Sequence, residues 1–372
     1  MKVAWFGHKT RKRGNGLVMY SKQLTEGLEA RGAQVVFFYH GSSDQKSEQT
    51  YRQTRLRSLR LLDHDLVSSP RAKGLVERTL TEECVDVAHV SLSFSLLDLS
   101  LPALCHRLGI PIVATVHAPY DRRLSLWGIG SRLLYRLWSI ALAKYDAVVI
   151  FSREQREILG RYGVPIQHMH VIPNGVDTET FRPAPSTYKG EVDAELLVVY
   201  CGRLDPEKNV GILVQTFLDL DLPPSHKVVI VGNGIEYQRL RNRYSSQTVI
   251  FTGLLEDKDE LVRILQAGDI FVLPSNVEGL SIAMLEGMAS GMATIATDVG
   301  SDGEALGDAG IVIDPHNLES QLGLALKILV ENPDLRRSLG ERARRRVEDR
   351  YSLQRNIDQV TALYKQLIPS NN

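Results

Sequence analysis

Short apolar runs alternate with helix-periodic segments along almost all of this 372-residue chain. That alternation admits few folds. Each run reads as a strand covered by the helix that follows it, and repeated strand–helix units build parallel sheets. KVAWF (2–6) is the first buried strand, and LVMYSKQLTEGLEARG (17–32) is the first helix, ending on Gly32. AQVVFFY (33–39), PIVATV (111–116) and AVVIFS (147–152) are further strands. IPNGVDTETFRPAPSTYKG (172–190), rich in proline, glycine and small polar residues, interrupts the pattern and reads as a linker. A second series then runs through LLVVYCG, KVVIVGNG, TVIFTG, IFVLPS and ATIATD. It closes with three helical segments, LESQLGLALKILVEN, PDLRRSLGERARRRVEDR and SLQRNIDQVTALYKQL.

The predicted class is therefore α/β, with two doubly wound Rossmann-like domains facing across a cleft. Residues 1–172 form the first domain, 173–190 the linker and 191–352 the second, with 353–372 a terminal helix able to cross back to the first. A chain of this length exceeds one comfortable core. Doubly wound sheets bind ligands at the carboxyl ends of their strands, so the loops there are where a site is sought.

A net charge of zero hides an asymmetry. Residues 1–173 carry 24 Lys and Arg against 15 Asp and Glu, a net +9, and the remainder carries −9. A basic half points to an anionic partner, whether nucleic acid, a membrane surface or a phosphorylated ligand. No recognised nucleic-acid module is present, so that partner is not expected. The opening MKVAWFGHK has too short an apolar run for a secretory signal, and no stretch approaches the roughly 18 apolar residues of a membrane span. Cys84, Cys105 and Cys201 are scattered, without metal or redox spacing. A cytoplasmic protein is the expectation.

Three stretches carry candidate chemistry. HKTRKRGNG (8–16) follows the first strand, where Gly14 and Gly16 would let backbone amides approach an anion at a helix start. A plain glycine turn fits equally well. Neither it nor VGNGIEY (231–237) has the G-x-G-x-x-G spacing of a dinucleotide site. GRLDPEK (202–208) puts Arg203 and Lys208 at the end of a strand, either as solvated charges or as a clamp for a diphosphate. SNVEGLSIAMLEGMASG (275–291) is more specific. Glu278 falls in a turn before a helix and Glu286 within that helix, while Gly279, Leu280 and Ser281 would offer free amides at its start.

Together these stretches resemble the retaining, family-four glycosyltransferases of the two-Rossmann-domain type. The matching segments run in order: the glycine loop at 14–16, TVHAP (115–119), IPNGVDTETFRP (172–183), GRLDPEK, VGNG (231–234), FTG (251–253) and LPSNVEGLSIAMLEGMASG (273–291). The resemblance implies that Arg203 and Lys208 neutralise the diphosphate of a nucleotide-sugar donor. It implies that Glu286 holds the ribose, Glu278 contacts donor-sugar hydroxyls, and His117 contacts the sugar near the reacting centre. Gly14, Gly16, Gly232, Gly253, Leu254, Gly279, Leu280 and Ser281 complete the implied donor site. A UDP-sugar is the expected donor. Transfer with retention, by a front-face route in which the leaving phosphate helps deprotonate the acceptor, is the family expectation.

No cofactor or metal is expected. Asp219 and Asp221 form a D-x-D in LDLDLPP (218–224), on the side away from the ligand, and Asp63 and Asp65 form another. For the acceptor, YRQTRLRSLRLL (51–62) carries Arg52, Arg55, Arg57 and Arg60 among leucines. RRLSLWGIGSRLLYRLWSIALAKY (122–145) adds Arg122, Arg123, Trp127, Arg132 and Arg136. Basic segments with leucine and tryptophan suit an anionic bilayer surface, although 133–142 also reads as a core helix. With a loose similarity of the amino-terminal stretch to bacterial glycolipid synthases, this implies a lipid acceptor and peripheral attachment at the cytoplasmic face. A soluble sugar acceptor, a nucleotide-sugar 2-epimerase and an inactive nucleotide-sugar-binding protein are the alternatives.

Overall fold

The computed structural model describes residues 1–7, 16–40, 52–56, 58–61, 64–68, 70–92, 95–117 and 126–369. The chain divides into two compact units. One runs to Pro173 and resumes at Asn356; the other spans Asn174–Arg355.

The strands of the first unit are β1 (Lys2–Gly7), β2 (Gln34–His40), β3 (Arg52–Leu56), β4 (Ser58–Leu61), β5 (His64–Ser68), β6 (Val87–Ser91), β7 (Ile112–Thr115), β8 (Ala147–Ile150) and β9 (Met169–Val171). Seven of them form one parallel sheet in the order β3-β2-β1-β6-β7-β8-β9, and β4 and β5 make a separate antiparallel pair. Its helices are α1 (Gly16–Glu29), α2 (Pro70–Glu82), α3 (Leu96–Arg107), α4 (Leu126–Leu142) and α5 (Arg153–Arg161).

The second unit holds β10 (Leu196–Cys201), β11 (His226–Val231), β12 (Val249–Gly253), β13 (Ile270–Leu273), β14 (Ala293–Thr297) and β15 (Ile311–Ile313). These are also parallel, ordered β12-β11-β10-β13-β14-β15. Helices α6 (Tyr188–Glu191), α7 (Val210–Asp219), α8 (Tyr237–Tyr244), α9 (Lys258–Ala267), α10 (Ile282–Ala289), α11 (Asp302–Leu306), α12 (Leu318–Glu331) and α13 (Pro333–Arg350) accompany them. The last helix, α14 (Leu353–Leu367), belongs to the first unit from Asn356 onward.

Central strands such as Ala147–Ile150 and Ile270–Leu273 are buried along their whole length. Helices cover both faces of such a sheet, which is why these strands read as continuous apolar runs. In each sheet the strand order reverses once, at β1/β6 and at β10/β13. The loops after those strands diverge, and ligands of doubly wound folds bind there.

The stretch expected as a linker is built into the second unit. The Val176 amide donates to the Tyr351 carbonyl at 2.8 Å, and the Leu353 amide donates to Val176 at 2.8 Å. Arg344 donates to the carbonyls of Thr178 (3.1 Å), Phe181 (2.7 Å) and Ala289 (2.9 Å), and Phe181 is buried. In the first unit, α14 buries Ile357, Val360, Leu363 and Tyr364.

The described part of the first basic segment is divided between two strands, β3 and β4. Arg52 and Arg55 sit in edge strand β3, where Arg52 pairs with Glu83 and Leu56 is buried. Arg60 lies in β4, with its side chain outside those described, and Arg57, Arg122 and Arg123 lie outside the described residues. The second segment is α4, which is apolar on two sides. Tyr135, Ala141 and Leu142 are buried, while Leu133 (58% exposed), Leu137 (57%) and Ile140 (65%) face solvent beside exposed Arg136 and Lys144. The core-helix reading of 133–142 therefore holds for one face only. Trp127 and Arg132 belong to α4, with side chains outside those described.

Candidate active site

The two loops that diverge at β10/β13 carry the charged residues the sequence singled out. After β10 the chain turns through Gly202 to Arg203, then through a single 3-10 turn, Pro206–Lys208, into α7. After β13 it passes through Ser275 and Glu278 into α10. The loops are stitched together: Asn209 Nδ2 donates to the Pro274 carbonyl at 2.8 Å, and the Asn276 amide donates to Glu207 at 2.7 Å. Lys208 Nζ consequently lies 2.6 Å from Glu278 Oε1 and 3.3 Å from the Val277 carbonyl. Ser275 Oγ donates to the same Oε1 at 2.7 Å. The lysine is only 8% exposed. An ammonium this deep is stable only with its charge matched, and Glu278 matches it.

Arg203 is placed differently. Its carbonyl accepts from buried Tyr200 at 2.7 Å, but its side chain is more than half exposed and its guanidinium meets Asp205 and Glu207. Asp205 is itself anchored, accepting the Ile235 amide at 3.1 Å. One cation is thus seated deep and the other on the rim, each held by a neighbouring carboxylate.

Glycine is required where the backbone closes on itself. Gly232 has φ +132°, and a Cβ there would strike the Gly202 carbonyl oxygen. Its amide donates to Gly253 at 2.9 Å, so the ends of β10, β11 and β12 interlock, leaving Leu254 41% exposed beyond them. Gly300 has φ +56°, and a Cβ there would strike the Glu278 carbonyl. Gly300→Ala is expected to cost about 1–3 kcal/mol and to displace the Glu278 loop. Thermal unfolding checks the first effect, and nucleotide affinity the second; an unchanged protein on both counts would contradict this account of the turn.

The start of α10 departs from the sequence reading. The Ser281 amide is not free, because it donates to Asp302 Oδ1 at 2.8 Å, while Ser281 Oγ caps the helix at the Met284 amide. Among the described residues the Gly279 and Leu280 amides have no acceptor, so two amides remain for an anion instead of three. The Gly279 carbonyl accepts from the Ser301 amide at 2.6 Å, and the Leu280 carbonyl from Asn174 at 3.1 Å. Asp302 is wholly buried, and its second oxygen is unpartnered. Burial, and then the Glu278 charge, push its carboxyl well above the usual carboxylate range. The sequence hid this residue in the polar run DVGSDGEA, which reads as a turn.

Glu286 is buried on α10, and among the described residues its carboxylate has no hydrogen-bond partner. Burial pushes its pKa up to about 8, eased by the Lys258 charge. A buried carboxylate without donors is suited to a ligand that brings hydroxyls.

Three other implied residues belong to the first unit. Gly16 opens α1, and Gly14 lies outside the described residues. His117, just past β7, is half-buried, with its Nε2 3.0 Å from Ser91 Oγ. Tyr20 and Phe151 stand edge-on to its ring at 4.6 and 5.3 Å. Asp219 ends α7 and Asp221 follows it before β11, at the strand ends opposite these loops.

The chain matches two family models, Glycosyltransferase Family 4 over residues 14–180 and Glycosyl transferases group 1 over residues 187–346. Two parallel doubly wound sheets with this pair of matches define a GT-B glycosyltransferase. The chain belongs to the family-four glycosyltransferases. It is 25% identical over 279 residues to the sulfoquinovosyl transferase of Arabidopsis thaliana, a match covering 71% of this chain and only about half (53%) of the plant protein. It is 26% identical over 313 residues to the UDP-Gal:alpha-D-GlcNAc-diphosphoundecaprenol alpha-1,3-galactosyltransferase of Escherichia coli, covering 78% of each chain. Among solved structures, the sucrose-phosphate synthase of Thermosynechococcus elongatus superposes with a TM-score of 0.78 at 20% identity, over 98% of each chain. Anabaena HepE, solved in complex with UDP-glucose, superposes with a TM-score of 0.78 at 16% identity, over 98% of this chain and 100% of that one.

Proposed function

We propose that this protein transfers a hexose from a nucleoside-diphosphate sugar, a UDP-sugar, to a hydroxyl of a membrane lipid, with retention at the anomeric carbon. The buried Lys208–Glu278 pair at the β10/β13 divergence carries this reading. As the glycosidic bond breaks, negative charge grows on the departing diphosphate. Fixed cations where that charge develops stabilise the transition state more than the ground state. Lys208 is the deep cation and Arg203 the rim cation. A diphosphate displaces their carboxylate partners in part and frees Glu278 to accept sugar hydroxyls. The Gly279 and Leu280 amides add donors at the start of α10. Glu286 accepts the ribose hydroxyls, and His117 contacts the sugar. With two cations in place, no resident metal or cofactor is called for in this reading, and turnover is expected to persist in chelator. The leaving phosphate then deprotonates the acceptor on the face it departs from.

The lipid acceptor is supported by α4. Three apolar side chains, at 133, 137 and 140, stand on a solvent-facing surface flanked by Arg136 and Lys144, in the basic half of the chain. Such a face lies flat on an anionic bilayer. Among the described residues no helix is long and apolar enough to cross a membrane, so attachment is peripheral in this reading. Two of the relatives' names point the same way, one carrying a diphosphoundecaprenol and another, a phosphatidylinositol N-acetylglucosaminyltransferase subunit, an inositol phospholipid.

The test is nucleoside diphosphate release from a panel of nucleotide sugars, with and without vesicles containing diacylglycerol and anionic lipid. Vesicle-dependent release is expected, strongest with a UDP-sugar, and lost in Leu137→Glu/Ile140→Glu. Sedimentation with the vesicles is expected to weaken as salt rises. Release that needs only soluble sugars would remove the lipid acceptor and keep the transferase.

A further inference from the structure

We propose that the His117 imidazole is oriented by a two-rung polar ladder across β6 and β7, with Ser91 as its direct positioning residue and His89, Thr115 and Tyr20 as the frame behind it. The proposal rests on the reading of His117 as a sugar contact.

Strand geometry builds the ladder. Side chains two apart on a strand share a face. His89 and Ser91 therefore share one face of β6, and Thr115 and His117 extend the same face at the end of β7. The strands are parallel, with Ser91 in register with Thr115 and His89 with Val113. Each rung thus joins a β6 residue to one lying two places past its partner on the next strand. In the lower rung His89 Nε2 lies 2.7 Å from Thr115 Oγ1, and in the upper rung Ser91 Oγ lies 3.0 Å from His117 Nε2.

The lower rung is locked from every side. His89 is wholly buried, its ring stacks on Trp5 at 4.3 Å, and its Nδ1 lies 2.5 Å from the Tyr364 hydroxyl of α14. Burial pushes its pKa down to about 3, so the ring is neutral, with one donor and one acceptor nitrogen. The hydroxyls of Tyr364 and Thr115 must then point in complementary directions. The Tyr20 hydroxyl lies 3.1 Å from Thr115 Oγ1, and the same ring stands edge-on to His117. Tyr20 is therefore fixed at one end by the lower rung and forms a wall of the His117 site at the other.

An apolar residue at 89 would fill the core without the cost of burying an imidazole. A fully satisfied buried network instead fixes one arrangement. Tyr20 carries that order to the half-buried ring of His117 through their edge-on contact. Ser91 is 2% exposed, and its hydroxyl has His117 as its hydrogen-bond partner among the described residues. With no other acceptor for it among the described residues, the hydroxyl donates to Nε2, which favours the Nδ1–H tautomer and restrains rotation of the ring.

The experiment compares Ser91→Ala, Ser91→Thr and Thr115→Val with wild type, with His117→Ala as control. It reads kcat, donor KM, the pH profile of kcat, and the His117 tautomer ratio by 15N NMR of the imidazole. Ser91→Ala is expected to lower kcat about 10-fold, the scale of one lost hydrogen bond that acts only in the working geometry. Donor KM should stay within about 2-fold, because uniform binding is untouched. The pH profile and the tautomer ratio should both shift, and Ser91→Thr should restore both. Thr115→Val should lower kcat several-fold while leaving the protein folded. An unchanged tautomer ratio, or an unchanged kcat, in Ser91→Ala would overturn the ladder. Normal turnover in His117→Ala would instead remove the role given to His117, and the NMR readout keeps the two failures distinct.

Discussion

Lys208→Met is expected to lower turnover by about 10²–10³, the usual cost of losing a group that meets developing charge. It should also lower the melting temperature. Glu278 would be left as an unpaired carboxylate in a site where its side chain is 15% exposed. Breaking a buried pair by removing one partner typically costs about 3–5 kcal/mol. The double variant Lys208→Met/Glu278→Gln should recover most of that stability and none of the turnover, because the uncompensated charge is gone but so is the cation. Arg203→Ala supplies the contrast. With a guanidinium more than half exposed, its loss should cost about 0–1 kcal/mol of stability while turnover falls on the same scale as for Lys208→Met. Melting curves and nucleotide-release rates on the four proteins check this. Near-normal turnover in both single variants would remove the clamp.

Glu286→Ala is expected to lower kcat/KM for the nucleotide sugar by about 10–100-fold, the scale of hydrogen bonds to a charged acceptor. The same residue makes the protein pH-sensitive in a defined direction. Its pKa rises from an ordinary 4.5 to about 8 in the fold. A carboxyl whose folded pKa is raised contributes full stability below the unfolded value, and that contribution is lost as pH rises through the folded value. Wild type should therefore lose stability relative to Glu286→Gln between about pH 5 and pH 8, where the glutamine has no proton to lose. Ribose hydroxyls donate to the ionised form, so donor binding pulls the pKa down. Donor affinity should then rise with pH up to about 8 in wild type and stay flat in Glu286→Gln. Parallel slopes in the two proteins would contradict the placement of this carboxylate in the donor site.

Much of this was legible because it depends on local pattern. The strands of the second unit are long apolar runs ended by turn residues, and all but β15 stand out. Arg203, Lys208, Glu278 and Glu286 stand in short motifs next to those runs, and it is the family resemblance of those motifs that marks them as candidates. What stayed hidden depends on residues far apart in sequence. β6 is the fully buried VAHVS, but His89 breaks its apolar signature, and only the fold shows its ring satisfied by Thr115 and by Tyr364, 275 positions away. Ser281 reads as a helix start with a free amide, and Asp302, 21 residues on, occupies that amide. Residues 172–190 have the composition of a free linker, yet Arg344 holds their carbonyls from α13. The arginines of 51–62 suggested a surface segment, yet Arg52–Leu56 forms an edge strand that runs from exposed Arg52 to buried Leu56.

The most direct test of the account follows one carbon. Wild-type protein is given a nucleotide hexose labelled with 13C at the anomeric position, together with vesicles containing diacylglycerol and anionic lipid, and the label is read by NMR. The expected result is loss of the phosphate-bonded α-anomer signal and growth of an α-glycoside signal in the lipid fraction, at the rate of nucleoside diphosphate release. A β-glycoside would contradict retention, and label that stays on the nucleotide with an altered ring configuration would contradict glycosyl transfer itself.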